Sequence, residues 1–193
     1  MRLLSLRTSL LLSGAAATLG ACGSTSNPAI QNPDPVVAVS AGLILRAEEG
    51  ERRVRRNAGK GPFILKVDRQ NGASPDLVMG YEDIAPGVEI DRHTHLVADE
   101  ILFVHRGSGI ARLGDRESAI SAGTTIYIPR NVPIAVRNTG SDSLGIVFVF
   151  SKPGFEEQMR DNSVLEGQPV IPLSAAARDS IRLKHRWHTV YRP

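Results

Sequence analysis

The chain has 193 residues, 41% of them hydrophobic and 22% charged, which fits one domain with short extensions and enough apolar material for a real core. A formal net charge of +3 and an aromatic content of 5% exclude a nucleic-acid-stacking or carbohydrate-stacking surface. Glycine at 18 and proline at 12 imply a chain with many turns.

The N-terminus does not belong to the fold. Arg2 and Arg7 form a positive region, and Ser9 to Thr18 is apolar or small and too short to span a bilayer. The following Leu19-Gly20-Ala21-Cys22 resembles a bacterial lipobox, so residues 1–21 are expected to be a lipoprotein signal peptide, with lipid carried on Cys22. An ordinary secretory cleavage site is the alternative. Cys22 is the single cysteine, which rules out an intramolecular disulfide. No twin-arginine pair is present near the start, which points to export of an unfolded chain and to metal acquired outside the cytoplasm. Losing Arg2 and Arg7 leaves 21 basic residues against 20 acids, so the mature chain is close to neutral and no nucleic-acid partner is implied. Gly23 stands where inner-membrane lipoproteins carry aspartate, which favours a chain anchored to the outer membrane and facing the periplasm of a bacterial envelope. Residues 22–41, rich in Ser, Asn and Pro, read as a flexible tether.

Residues 42–152 carry short apolar runs separated by turn signals, the pattern of an antiparallel sandwich or barrel. Strands are expected at Leu43–Arg46, Arg52–Arg56, Phe63–Asp68, Leu77–Ile84, Val88–His95, Glu100–His105, Ile110–Leu113, Thr124–Ile128, Ile134–Asn138 and Leu144–Phe150. Asn71-Gly72, Gly114-Asp115 and Thr139-Gly140 read as turns. Arg52, Arg53, Arg55 and Arg56 around Val54 suggest a solvated edge strand, where charge discourages sheet-to-sheet association. After Phe150 the pattern changes, and residues 153–193 read as a helical extension. One helix is expected at Phe155–Asp161 and a second at Ala175–Lys184, with Ser174 as its N-cap.

The chemistry concentrates between Gly87 and Gly107. Gly87 is followed after five residues by His93-Thr94-His95, after four more by Glu100, and after six more by Gly107. On a strand, His93 and His95 point to one face. Two imidazoles and a carboxylate suit iron, manganese, nickel or zinc. This run resembles the first signature motif of the cupin family, with every signature position filled. The resemblance implies a small antiparallel β-barrel of the double-sheet jelly-roll type, holding a metal among three histidines and a glutamate. His93, His95 and Glu100 fall on three of those four positions. The family's second motif is recognisable from Gly123 through Pro129 to Asn138, but Asn131 replaces a glycine and Ile134 replaces the fourth ligand. Asn tolerates the left-handed backbone such a glycine would adopt. A branched hydrocarbon at 134 cannot donate a lone pair.

Strand parity sorts the neighbours. Leu102 and Val104 share the face of Glu100, which buries that carboxyl and demands a partner for it. His105 falls on the opposite face and does not replace the missing ligand. Arg130, Arg137 and Tyr127 flank the second motif and read as surface residues. Nothing in the spacing of His185 and His188 places them over the barrel mouth.

Three functions follow. The first is a lipid-anchored envelope enzyme, a metal-dependent dioxygenase or isomerase whose His93, His95 and Glu100 bind the metal beside a small organic substrate. The second, motivated by Ile134, is a non-catalytic small-molecule-binding cupin in which the same three residues are polar anchors. The third is a scaffold that pairs as a homodimer through edge strands.

Overall fold

The computed structural model describes residues 42–57, 60–71 and 74–191. The expected signal peptide, the tether, Cys22 and Gly72 of the Asn71-Gly72 turn lie outside the described residues.

Alternation of apolar and polar side chains decides most strands. In chain order they are β1 (Glu51–Arg55), β2 (Lys60–Val67), β3 (Val78–Ile84), β4 (Glu89–His95), β5 (Glu100–Arg106), β6 (Ser108–Leu113), β7 (Arg116–Ser121), β8 (Thr125–Ile128), β9 (Pro133–Asn138) and β10 (Leu144–Phe150). Helix α1 (Phe155–Asp161), β11 (Ser163–Leu165), α2 (Ala175–Lys184) and β12 (Thr189–Tyr191) complete the described chain. In β5, Glu100, Leu102 and Val104 are buried while Ile101, Phe103 and His105 are exposed, as parity requires. The strands form two antiparallel sheets, ordered β11-β1-β2-β3-β10-β5-β8 and β12-β4-β9-β6-β7. Phe63, Val104, Ile146 and Phe148 of the first sheet and Ala111, Ile120, Ile134 and Val136 of the second share one core. This is the all-β, double-sheet jelly-roll barrel with two short helices that the sequence implies.

Backbone geometry supports the motif turns. Gly107 adopts φ 79°, and a Cβ there would lie 2.7 Å from the Ser143 carbonyl oxygen. Among the described residues Asn131 is the one non-glycine with positive φ, at 68°, and its N–H donates to the His95 carbonyl at 2.7 Å.

The differences from the expected elements have physical reasons. Leu43–Arg46 forms no strand, because β1 and β2 already have a neighbour on each side and Ile44, 96% exposed, has nothing to pack against. The Arg46 and Ala47 carbonyls instead accept from Lys66 Nζ, each at 2.6 Å. The arginine-rich β1 is not an edge strand. It lies between β2 and the three-residue β11, and its side chains are half-buried. β7 escapes a pattern search because Ala119 and Ile120 are its only apolar residues; a six-residue register with β6 forms it.

The chain beyond Phe150 is more than helical, since β11 extends one sheet and β12 the other. Both helices occupy the expected residues, and Ser174 Oγ accepts from the Ala177 N–H at 3.1 Å. Arg160 clamps α1 to the barrel: it donates to Glu51 Oε2 at 2.6 Å and Glu157 Oε1 at 2.9 Å, and also to the buried Asp68.

Candidate metal centre

His93 and His95 are adjacent inward positions of β4, and Glu100 opens β5 in the facing sheet. The strands carry all three side chains into the barrel, where His93 is 5% exposed, His95 2% and Glu100 5%. His93 Nε2 lies 3.1 Å from His95 Nε2, and His95 Nε2 lies 3.2 Å from Glu100 Oε2. One ligand atom from each residue falls within 4.8 Å of the other two. Two nitrogens each bound at about 2.1 Å to one ion sit roughly 3.0–3.4 Å apart at angles of about 90–110°. The imidazole spacing fits that range.

The outer nitrogen sets the tautomer of His93. His93 Nδ1 lies 2.8 Å from the Asp91 carbonyl oxygen, which only accepts, so Nδ1 carries the proton. His95 Nδ1 lies 3.0 Å from Thr189 Oγ1. With both protons on Nδ1, two Nε2 lone pairs point at each other, and Glu100 Oε2 is buried without a hydrogen-bond partner beside them. With Glu100 ionised, the three groups would offer one another only lone pairs, an arrangement that a cation resolves.

Burial dominates the protonation equilibria. It pulls both His93 and His95 down to about 4, and for His93 the neighbouring His95 adds to the effect. Burial pushes the Glu100 carboxyl up to about 8, with the Glu82 charge adding and His93 opposing. At neutral pH without a cation the three groups therefore avoid charge, so the 3.2 Å approach of His95 to Glu100 is not an ion pair.

Ile134 stands opposite His93 in the β4–β9 register and is 1% exposed. With Leu102 and Val136 it gives the cavity an apolar wall. His105 is exposed on the outer face, Tyr127 is 57% exposed, and Arg130 spends its guanidinium on Asp99 at 3.0 and 3.1 Å. None of these three reaches the site.

The C-terminal segment supplies the rest of the enclosure. Phe155 of α1 stacks on His93 (centroids 5.9 Å apart, planes within 5°) and meets His95 edge-on at 4.8 Å. Tyr191 of β12 also stacks on His93, at 5.7 Å, and its hydroxyl accepts from Gln158 Nε2 at 2.7 Å. At the mouth, Arg55 pairs with Glu82, while Asp91 accepts from Lys60 at 3.1 Å and Arg182 at 2.9 Å. The cavity enclosed with His93, Glu100 and Ile134 holds about 90 Å³. Drug-sized ligands need roughly 300–1,000 Å³, so this space suits a molecule of few atoms. Sequence reading missed Phe155, Gln158, Thr189 and Tyr191, and set His188 apart from the barrel, whereas its side chain reaches Thr189 directly behind His95. No spacing rule marks these residues. The one available signal was the density of His and aromatic residues in an otherwise polar tail.

Comparison with known proteins gives the family. The cupin domain model matches residues 80–150, the interval from β3 through β10. An uncharacterized protein of Methanocaldococcus jannaschii, MJ1618, is 31% identical over 105 residues, covering 54% of this chain and 76% of that one. The chain belongs to the cupin superfamily. Auxin-binding protein 1 of Arabidopsis thaliana is 33% identical over 81 residues, but those residues span only 40% of its length and 37% of this cupin. Among solved structures, KdgF from Halomonas sp. superposes with a TM-score of 0.51 at 18% identity, covering 60% of this chain and 98% of that one. At that identity the likeness speaks for the fold alone. The cupin match ends at Phe150, so the aromatic wall and Thr189 behind the histidines come from residues beyond it.

Proposed function

We propose that this cupin is a metal-dependent enzyme of the bacterial envelope, acting on a small organic substrate, with His93, His95 and Glu100 as its protein ligands. One observation carries the reading: two imidazole nitrogens and a carboxyl oxygen without a hydrogen-bond partner converge in one buried site, all within 4.8 Å of one another. Two histidines and one carboxylate are the ligand set of many non-haem iron(II) oxygenases, which makes dioxygenase-like oxidation the first reaction to test and isomerisation the next. A bound divalent ion would supply Lewis acidity, and one-electron chemistry if it were iron or manganese, with positions left open for substrate. The chain's own residues do the rest. Asp91 holds the His93 ring, Phe155 and Tyr191 exclude water from it, and Ile134, Leu102 and Val136 present an apolar wall that orients the carbon skeleton of a substrate.

Elemental analysis of the purified protein, before and after titration with iron, manganese, nickel and zinc, tests the metal. Stoichiometric uptake supports the reading, and no uptake of any of the four ends it.

Ile134 favours a second reading, a small-molecule-binding cupin without catalysis, in which Glu100 and the histidines anchor a polar ligand directly. Dioxygen-dependent turnover of a candidate substrate would overturn it. The envelope location rests on Cys22 and the segment before it. Cys22→Ala is expected to release the protein from the membrane fraction, and an unchanged distribution would remove the lipid anchor.

A further inference from the structure

β12 and the turn that precedes it bring a row of polar side chains behind the centre that the proposed chemistry leaves unused. In its register with β4, Thr189 stands opposite His95, and cross-strand partners share a face. Thr189 is 1% exposed, His188 2% and His185 4%. Buried polar groups need partners, and each of these finds the next. His95 Nδ1 lies 3.0 Å from Thr189 Oγ1, which lies 2.8 Å from His188 Nδ1. His188 Nε2 lies 3.3 Å from His185 Nδ1, and His185 Nε2 lies 2.7 Å from Asp161 Oδ2. Thr189, His188 and His185 link His95 to the Asp161 carboxylate, which is 32% exposed and also holds Lys184 at 2.6 Å.

The carboxylate at the far end and a ligand role for His95 are compatible with one direction along the chain. An ionised carboxylate only accepts, so His185 donates from Nε2, and the direction that keeps His95 Nε2 free for an ion has His185 accept at Nδ1. His188 then donates from Nε2 and accepts at Nδ1. The Thr189 hydroxyl spends its single proton on His188 and has only lone pairs left for His95. In this direction His95 donates to it from Nδ1, which leaves Nε2 bare toward His93 and Glu100.

We infer that Thr189 is a positioning residue: its hydroxyl, polarised by the His188–His185–Asp161 series, fixes the ring angle and tautomer of His95 so that Nε2 faces the centre as a ligand. This rests on the metal reading above. An acceptor on the outer nitrogen orients an imidazole ligand and strengthens it. His93 obtains that from a backbone carbonyl, which cannot reverse. His95 obtains it from a hydroxyl that can donate or accept, so the three residues behind it decide which it does.

Thr189→Val removes the hydroxyl at nearly constant volume, and Thr189→Ser retains it. Both are checked for native fold by circular dichroism and then titrated with zinc. Thr189→Val is expected to weaken zinc binding by about 10- to 100-fold, while Thr189→Ser stays close to wild type. Nitrogen-15 spectra of the metal-free proteins are expected to show His95 protonated on Nδ1 in wild type and Thr189→Ser, and a tautomer mixture in Thr189→Val. Unchanged zinc affinity together with an unchanged tautomer in Thr189→Val would overturn the inference. If wild type takes up no zinc, the metal reading fails, and the tautomer comparison alone decides the role of Thr189.

Discussion

His93 and Ile134 face each other across β4 and β9, so a donor and a hydrocarbon occupy neighbouring inward positions at the heart of the barrel. Ile134 sits where the cupin resemblance would put a third imidazole. The backbone there is already in register, and the adjacent turn keeps its positive-φ residue at Asn131. Ile134→His should therefore place a fourth donor on the existing ligands. Zinc or manganese affinity is expected to rise by about tenfold or more, measured by competition with a chelator. An affinity equal to wild type would mean that the cavity no longer accommodates an ion shared by β4 and β9.

The buried histidines make the metal-free protein acid-sensitive. His93, His95 and His188 are each pulled by burial to about 4, below the ordinary value of 6.5. Their contribution is fully present above pH 6.5 and is lost as pH falls toward 4, because the unfolded chain takes up protons the folded one refuses. Glu100 acts with opposite sign. Raised to about 8, it contributes fully below its ordinary 4.5 and loses that contribution as pH rises through 8. Three histidines outweigh one carboxyl on the acid side, so stability should peak near pH 6.5. It should fall by several kcal/mol toward pH 4.5 and more gently toward pH 8. Urea midpoints of the metal-free protein across this range check the sign, and a midpoint that rises on acidification would contradict it.

Arg160 ties α1 to β1 and to the end of β2 through Glu51 and Asp68. Arg160→Ala would leave Asp68, 1% exposed, without its cation, and removing one member of a buried charge cluster costs about 3–5 kcal/mol. Because α1 carries Phe155 and Gln158 into the site, metal or ligand affinity should fall along with stability. Urea denaturation and zinc titration on one preparation measure both. Loss of stability with unchanged affinity would separate the helix from the site.

Much of the fold was legible because its signals are local. Leu102 and Val104 announce the inward face of β5, and Ser174 announces the start of α2. His93, His95 and Glu100 were legible as a set because they fill positions of the motif the sequence resembles, and strand parity puts both imidazoles on one face. The C-terminal contribution was not legible, since β11 and β12 are three residues each and too short to carry a period. Their pairing depends on edges that exist only once the barrel has formed. The arginines of β1 misled for the same reason: charge suggested an edge, while Ser163 and Glu82, distant in sequence, pair with Arg53 and Arg55 in the fold.

Phe155 tests whether the tail is part of the site's chemistry or merely rests against it. Its ring covers His93 face-on and His95 edge-on, and it also meets Phe150 at 5.1 Å. Replacing it with alanine removes the wall that keeps water from both imidazoles, so desolvation should no longer hold them near 4. In metal-free Phe155→Ala, both histidines should titrate closer to their ordinary value of 6.5, followed by NMR from pH 4 to 8, while Phe155→Leu should preserve much of the depression. Stability should also fall by about 1–3 kcal/mol from lost aromatic packing. If His93 and His95 still titrate near 4 in Phe155→Ala, barrel residues alone desolvate the centre, and the tail contributes to the fold without shaping the site.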